Sequence, residues 1–339
     1  MSVRRSARGA VACFLALVPI AALAQADCRP APPDVARLVE VRAGFHRVEG
    51  PLADFDPCHP SVDLSMPGFL SDRLPGKPPL LIIVHGGNGP GAAEREMARR
   101  MNARGVATLL FDAYAMNGFQ YRGTPLFLTG VTNESRQRMI FKVSLGAYSW
   151  AKRQEGIDVS RMFVHGLSNG GSVAFNMAAV VGADRVRMVF AEGLSPTGIG
   201  MPDHVKVPVK LVFGKLDNYG GKREDDWMHT RSDPCGFNRP SPLAAPGTTR
   251  FCSDLANPEA MTPSPQAWGE AARGRGQPIE FWFYEEAAHG LLAGPLVKGM
   301  RVYGTGPAAQ ARYGWTGAST EAAARFTEDM IQVIKATYP

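Results

Sequence analysis

Residues 161–171 read Arg161-Met162-Phe163-Val164-His165-Gly166-Leu167-Ser168-Asn169-Gly170-Gly171. A short apolar run leads into Gly-x-Ser-x-Gly, and a stretch of small residues follows to about 181. The five-residue pattern alone is weak. Its setting sharpens it, because strand, tight bend and helix in that order force a serine hydroxyl out of the sheet. The flanking glycines relieve crowding at the bend. The helix N-terminus offers unpaired N–H groups and a field that favours negative charge. The plain alternative is a serine that merely caps a helix. The context favours Ser168 as a nucleophile.

Outward from this segment, apolar runs and helical patterns alternate. Leu80–Val84, Val106–Phe111, Arg161–Val164, Val186–Phe190, Val207–Phe213 and Ile279–Tyr284 read as buried strands. Residues 91–104, 134–155, 170–181 and 319–337 suit helices. Continuous apolar strands separated by helices predict an α/β protein with a mostly parallel sheet, covered on both faces. Residues 27–78 are rich in Pro and Gly and are expected to form strands and loops leading into the core. No repeat or linker appears, so 27–339 is expected to be a single domain. An excursion over about 218–262 breaks the alternation, and structureless loops of that length are uncommon and usually functional.

A serine hydroxyl needs a base to take its proton. The histidines are His46, His59, His85, His165, His204, His229 and His289. His289 follows the last strand, on a loop able to reach Ser168, and is the chosen base. His165 precedes the bend inside its strand and reads as structural, and His85 as a scaffold residue. The base in turn needs an acid to hold its tautomer. The stretch Val209-Lys210-Leu211-Val212-Phe213-Gly214-Lys215-Leu216-Asp217 ends a strand with an acid, and Asp217 is the expected partner. Glu192, after the run at 186–190, is the rival acid, or a side chain pointing into the pocket. Asp112 precedes the serine and suits a loop-fixing role. Acyl transfer also needs donors for a developing oxyanion. His85-Gly86-Gly87-Asn88-Gly89 would supply the first, from Gly87 in preference to Asn88. The N–H of Asn169 would supply the second.

Composition agrees with a folded, water-soluble body: 45% hydrophobic and 20% charged over 339 residues. The formal charge is +6. Arg4, Arg5 and Arg8 open a segment, 1–26, that holds no acid. A short apolar core and Ala-x-Ala patterns at 22–24 and 24–26 follow, so residues 1–26 read as a cleaved secretory signal. The core is too short to span a bilayer, which takes ~20 residues. No stable membrane insertion is expected after cleavage. The mature chain would carry only +3, without the clustered basic face that nucleic acid requires. Export to a bacterial periplasm or beyond favours disulfides among Cys28, Cys58, Cys235 and Cys252. Three pairings exist, and Cys28–Cys58 with Cys235–Cys252 is the simplest. No spacing suits a metal site.

Taken together, His85-Gly86-Gly87, Phe111-Asp112, Gly166-Leu167-Ser168-Asn169-Gly170-Gly171, Gly214-Lys215-Leu216-Asp217 and Ala288-His289-Gly290 resemble the α/β-hydrolase superfamily, across about 80–292. Within it the chain looks like the dienelactone hydrolase-like and prolyl-oligopeptidase-like group. The resemblance implies an α/β-hydrolase fold with an eight-stranded, mostly parallel sheet, and hydrolysis of esters, lactones or peptides without a cofactor. The order Ser168, Asp217, His289 agrees with it. Dienelactone hydrolases carry a cysteine nucleophile where this chain has Ser168. The long stretch between Asp217 and His289 implies a disulfide-braced excursion over the pocket, with Tyr219, Trp227 and Trp268 as lining candidates. The expected activity is that of a secreted carboxylic ester hydrolase acting on a small-molecule or polymer-borne ester. A prolyl-oligopeptidase-type peptidase is the rival enzyme, though 27–78 is too short for the propeller domain those proteins carry. A non-catalytic binding protein on the same scaffold is the other alternative. Oligomeric state is not legible.

Overall fold

All six of the apolar runs hold adjacent places in one sheet, and four of their strands are buried at every position. The computed structural model describes residues 55–59, 61–67, 76–119, 131, 133–194, 198–217, 250–252, 261–263, 265–303 and 310–337. Strand β1 (Val62–Ser65) is followed by β2 (Leu80–Val84), helix α1 (Ala92–Asn102), β3 (Ala107–Phe111), a short α2 (Ala113–Met116) and the long α3 (Asn133–Ala151). Next come β4 (Met162–Leu167), α4 (Asn169–Met177), β5 (Val186–Glu192) and β6 (Val209–Gly214). Strands β7 (Arg250–Cys252) and β8 (Met261–Pro263), helix α5 (Pro265–Gly274) and β9 (Ile279–Tyr284) follow. Strands β10 (Val297–Tyr303) and β11 (Gln310–Thr316) and helix α6 (Thr320–Ala336) end the order.

The main sheet runs β1-β3-β2-β4-β5-β6-β9. Only β1 is antiparallel to its neighbour, with Val62 opposite Phe111. The other pairings are parallel. The main sheet therefore has seven strands among the described residues where eight were expected. Helix α1 links β2 to β3 and α4 links β4 to β5, each pair being parallel neighbours, which need a crossover connection of this kind.

Alternation divides the core. Leu80, Ile82 and Val84 point into one apolar cluster, with Leu109, Val164, Phe175 and Trp150. Leu81 and Ile83 point into the other, with Met97, Phe163, Phe190 and Phe326. Successive strand residues face opposite ways, so one five-residue run supplies both layers. Helix α3 is buried at every position from Ile140 to Ala151. Small residues such as Gly146 let it lie close: a Cβ there would come within 2.6 Å of the Phe55 side chain.

Several elements depart from the sequence expectation, among them helix α5, where no helix was expected. The excursion at 218–262 is not wholly irregular, because β7 and β8 pair antiparallel, Arg250 opposite Pro263. Between His289 and the last helix, where no strands were expected, β10 and β11 form an antiparallel ribbon with Gly299 opposite Gly314. Among the described residues no helix is long and apolar enough to cross a membrane.

Candidate active site

Ser168 sits between β4 and α4 at φ +59°, ψ −119°. Few non-glycine residues adopt such a backbone, and they do so where the surroundings over-determine it. The constraint is visible in the neighbours. A Cβ on Gly166 would lie 2.0 Å from the Gly170 carbonyl oxygen, and one on Gly170 would lie 2.2 Å from that of Val84. Strand β4, helix α4 and strand β2 thus touch through backbone alone. The result is a serine that is partly exposed amid residues that are almost all buried.

Asp217 lies just past β6, and His289 on the loop after β9. Their side chains meet, with Nδ1 of His289 3.0 Å from Oδ2 of Asp217. A carboxylate accepts, so Nδ1 carries a proton, and in the neutral form of this ring Nε2 holds the lone pair. The loop bearing His289 is tied into the fold on its far side. The N–H of His289 donates to the Trp315 carbonyl at 3.4 Å, and the Gly317 N–H donates to that of His289 at 3.0 Å. The ribbon β10–β11 therefore buttresses the histidine. Gly290, at φ +76°, turns the chain against Leu167, whose Cδ2 would lie 3.4 Å from a Cβ there. The neighbour of His289 thus touches the neighbour of Ser168.

The loop after β2 is held from both sides. His85 is fully buried; its Nδ1 lies 2.7 Å from the Gly86 carbonyl, and its Nε2 accepts the Ala113 N–H at 3.0 Å. Those partners fix a neutral ring with the proton on Nδ1, and burial lowers its pKa from the ordinary value despite the Gly86 carbonyl. Glu94, buried in α1, accepts the Gly86 N–H at 3.0 Å and the Gly91 N–H at 2.8 Å. Tyr114 donates its hydroxyl proton to the Gly87 carbonyl at 3.2 Å and is hydrogen-bonded to the Asn169 side chain. Gln137 completes the network by donating to Asn169 Oδ1 at 3.2 Å. In a trans peptide the N–H points opposite its carbonyl. Anchoring the Gly86 and Gly87 carbonyls therefore aims the N–H groups of Gly87 and Asn88 away from those anchors. Among the described residues, the N–H groups of Gly87, Asn88 and Asn169 have no protein acceptor. Gly87 lies against Asn169, 3.0 Å from its Nδ2 to a Cβ position. The site can thus offer two or three oriented donors beside a protruding hydroxyl.

The other residues singled out take these places. Glu192 is not paired with His289; its Oε2 lies 2.8 Å from His165 Nε2, and its Oε1 accepts the Leu291 N–H at 2.6 Å. Asp112 caps α2 by accepting the N–H groups of Tyr114 and Ala115 at 3.0 Å. Tyr219, Trp227, Cys28 and Cys235 lie outside the described residues, as does the segment 1–26, and Trp268 falls on α5. Cys58 is disulfide-bonded. Glu94, Tyr114 and Gln137 escaped the sequence reading. Only Glu94 left a trace there, as an acid in the first turn of a helix behind a glycine-rich loop. Among the described residues no group of three or more His, Cys, Asp or Glu could hold a metal ion.

No family model matches the chain, and no curated protein does so. Solved structures do. A dienelactone hydrolase from Anabaena variabilis is 15% identical over 81% of this chain and 90% of its own, with a TM-score of 0.43. A dienelactone hydrolase-like promiscuous phosphotriesterase from metagenomic libraries is 16% identical over 78% and 88%, at 0.43. Est1E from Butyrivibrio proteoclasticus is 15% identical over 67% and 85%, at 0.37. Likenesses of this size carry nothing about substrate. The strand order with its single antiparallel member, and the strand–bend–helix at Ser168, make this an α/β-hydrolase fold.

Proposed function

We propose that the chain is a serine hydrolase of carboxylic esters working through an acyl-enzyme. One observation carries the reading: a buried Asp217–His289 hydrogen bond beside a serine held at positive φ. Ser168 attacks the carbonyl carbon while Nε2 of His289 takes its proton. Asp217 holds the tautomer and stabilises the imidazolium that forms. The N–H groups of Gly87 and Asn169 receive the tetrahedral oxyanion, each such donor contributing about 3–4 kcal/mol to the barrier reduction. His289 then returns the proton to the departing alcohol. Water, activated by the same base, releases the acid and restores Ser168.

The substrate is a small-molecule or polymer-borne ester met outside the cytoplasm, after residues 1–26 are removed. The pairing Cys28–Cys58 with Cys235–Cys252 belongs to the same reading. N-terminal sequencing and non-reducing peptide mapping of the secreted protein test both, and a mature chain starting elsewhere than near residue 27 would count against export.

The deciding experiment sets purified mature protein against esters of graded acyl length and aromatic acids, beside fluorogenic peptides. Labelling with a fluorophosphonate runs in parallel. Turnover of esters and labelling at Ser168, both lost in Ser168→Ala, are expected. Full ester turnover by that variant would overturn the proposal. Cleavage of peptides alone would move it to a peptidase. Folded wild-type protein that neither labels nor turns over would indicate a binding protein.

A further inference from the structure

The dipeptide Glu192-Gly193 contacts Ser168, the Asp217–His289 pair and the loop that carries His289. The Glu192 carbonyl accepts the N–H of Ser168 at 2.9 Å. Its carboxylate accepts the N–H of Leu291, two residues beyond His289, at 2.6 Å. Gly193, at φ +51°, packs against the acid–base pair: a Cβ on it would lie 3.0 Å from His289 Nδ1 and 3.3 Å from Asp217 Oδ2. Its N–H donates to the Val212 carbonyl at 2.9 Å, which ties it to β6, the strand that delivers Asp217. The carboxylate itself is only 2% exposed, and His165, 4% exposed, grips its second oxygen at 2.8 Å.

From these contacts we infer that Glu192 is a positioning residue that sets the separation between Ser168 and the His289 loop, with His165 holding its carboxylate in place. The inference rests on the proposed hydrolase reading. The physical reason is geometric. Ser168 and His289 come from different loops, and the tie to Asp217 fixes the tilt of the imidazole rather than its distance from the serine. Glu192 is bonded through its backbone to the serine and through its side chain to the histidine's loop. A buried carboxylate is costly unless its oxygens are occupied, and here each oxygen has a donor. A glutamate whose only role was to fill the core would be better replaced by an apolar side chain. His165 Nδ1, turned away from Glu192, has no hydrogen-bond partner among the described residues, so His165 gains its polar contact only through Glu192.

The test uses three variants of the mature protein: Glu192→Gln, Glu192→Asp and Glu192→Ala. For each, kcat and KM on a p-nitrophenyl ester are measured per active site, the sites being counted by fluorophosphonate titration. Glutamine keeps an oxygen for the Leu291 N–H and can donate to His165 in its other tautomer. Aspartate keeps the charge but is one methylene too short to hold both partners. If Glu192 positions the loop, Glu192→Gln stays within about tenfold of wild-type kcat, while Glu192→Asp and Glu192→Ala lose about 100-fold at nearly constant KM. A role in folding alone would lower the number of titrated sites without lowering kcat per site, and would overturn the inference. So would Glu192→Asp matching wild type while Glu192→Gln is inactive, because charge and not reach would then matter. If Glu192→Ala does not fold, the order of the other two variants decides. Failure of the wild-type protein to label or turn over is the separate failure of the hydrolase reading.

Discussion

Nδ1 of His289 donates to Oδ2 of Asp217 across 3.0 Å, with the two side chains 8% and 1% exposed. Water competes little for either group at such exposure, and the low local dielectric strengthens the bond. The link matters most when the imidazole becomes charged, since a charge-assisted hydrogen bond is roughly twice as strong as a neutral one.

Asp217→Asn should preserve the fold and lower kcat by about 10⁴-fold, because the amide can donate to Nδ1 and favour the wrong tautomer. KM should stay within a fewfold. Steady-state kinetics with circular dichroism check this. A variant retaining a tenth of wild-type kcat would show that another acid serves His289.

His85 supplies a pH test of stability. Its neutral ring accepts from Ala113 and donates to Gly86. A second proton on Nε2 would face the Ala113 N–H, donor against donor, in a site where burial already opposes charge. The folded pKa is therefore depressed below the ordinary 6.5. Below that value the unfolded chain takes up a proton that the folded one refuses. Stability is then full above about pH 6.5 and falls as the pH drops beneath it. Urea denaturation from pH 7.5 to 5 should show the slope. His85→Gln should be less stable at pH 7.5 and lack this contribution to the slope; an unchanged slope would remove His85 as its source.

Gly170→Ala should prevent folding or lower stability severely. The added methyl would stand 2.2 Å from the Val84 carbonyl oxygen and 2.5 Å from that of His85. Ordinary overpacking costs about 1–3 kcal/mol, and here the obstacle is backbone that cannot rotate aside. Soluble expression and thermal melting test it, and a melting temperature within about 2 °C of wild type would contradict the close approach.

Tyr114→Phe isolates the support of the oxyanion loop. The change removes the donor to the Gly87 carbonyl and one partner of the Asn169 side chain. A hydrogen bond of this kind contributes about 1 kcal/mol, so kcat should fall about fivefold with KM little altered. Unchanged kcat would show that the loop holds its shape through His85 and Glu94 alone.

The strands beneath the site were legible because each is a short, mainly apolar run. Leu80–Val84 and Ile279–Tyr284 begin and end where the pattern places them. Helix α5 was missed because Gly269 and Gly274 depress its propensity. Packing explains Gly269: a Cβ there would meet Phe281 Cζ at 2.6 Å. Pro265 at its first position was the overlooked signal. The ribbon β10–β11 was illegible for a similar reason, since Gly299 and Gly314 break the alternation that announces a strand.

Local spacing by itself determined the parallel α/β plan and the bend at Ser168, because apolar runs and glycine placement act on the chain within a few residues. It also narrowed the acids to Asp217 and Glu192 without separating their partners. Tertiary structure decided that Asp217 meets His289 while Glu192 meets His165 and Leu291, and that His85, Glu94 and Tyr114 converge on one loop. Those contacts join residues up to 99 positions apart. Which partner a buried polar group finds depends on how separate strand ends come together, and no short stretch of sequence records that.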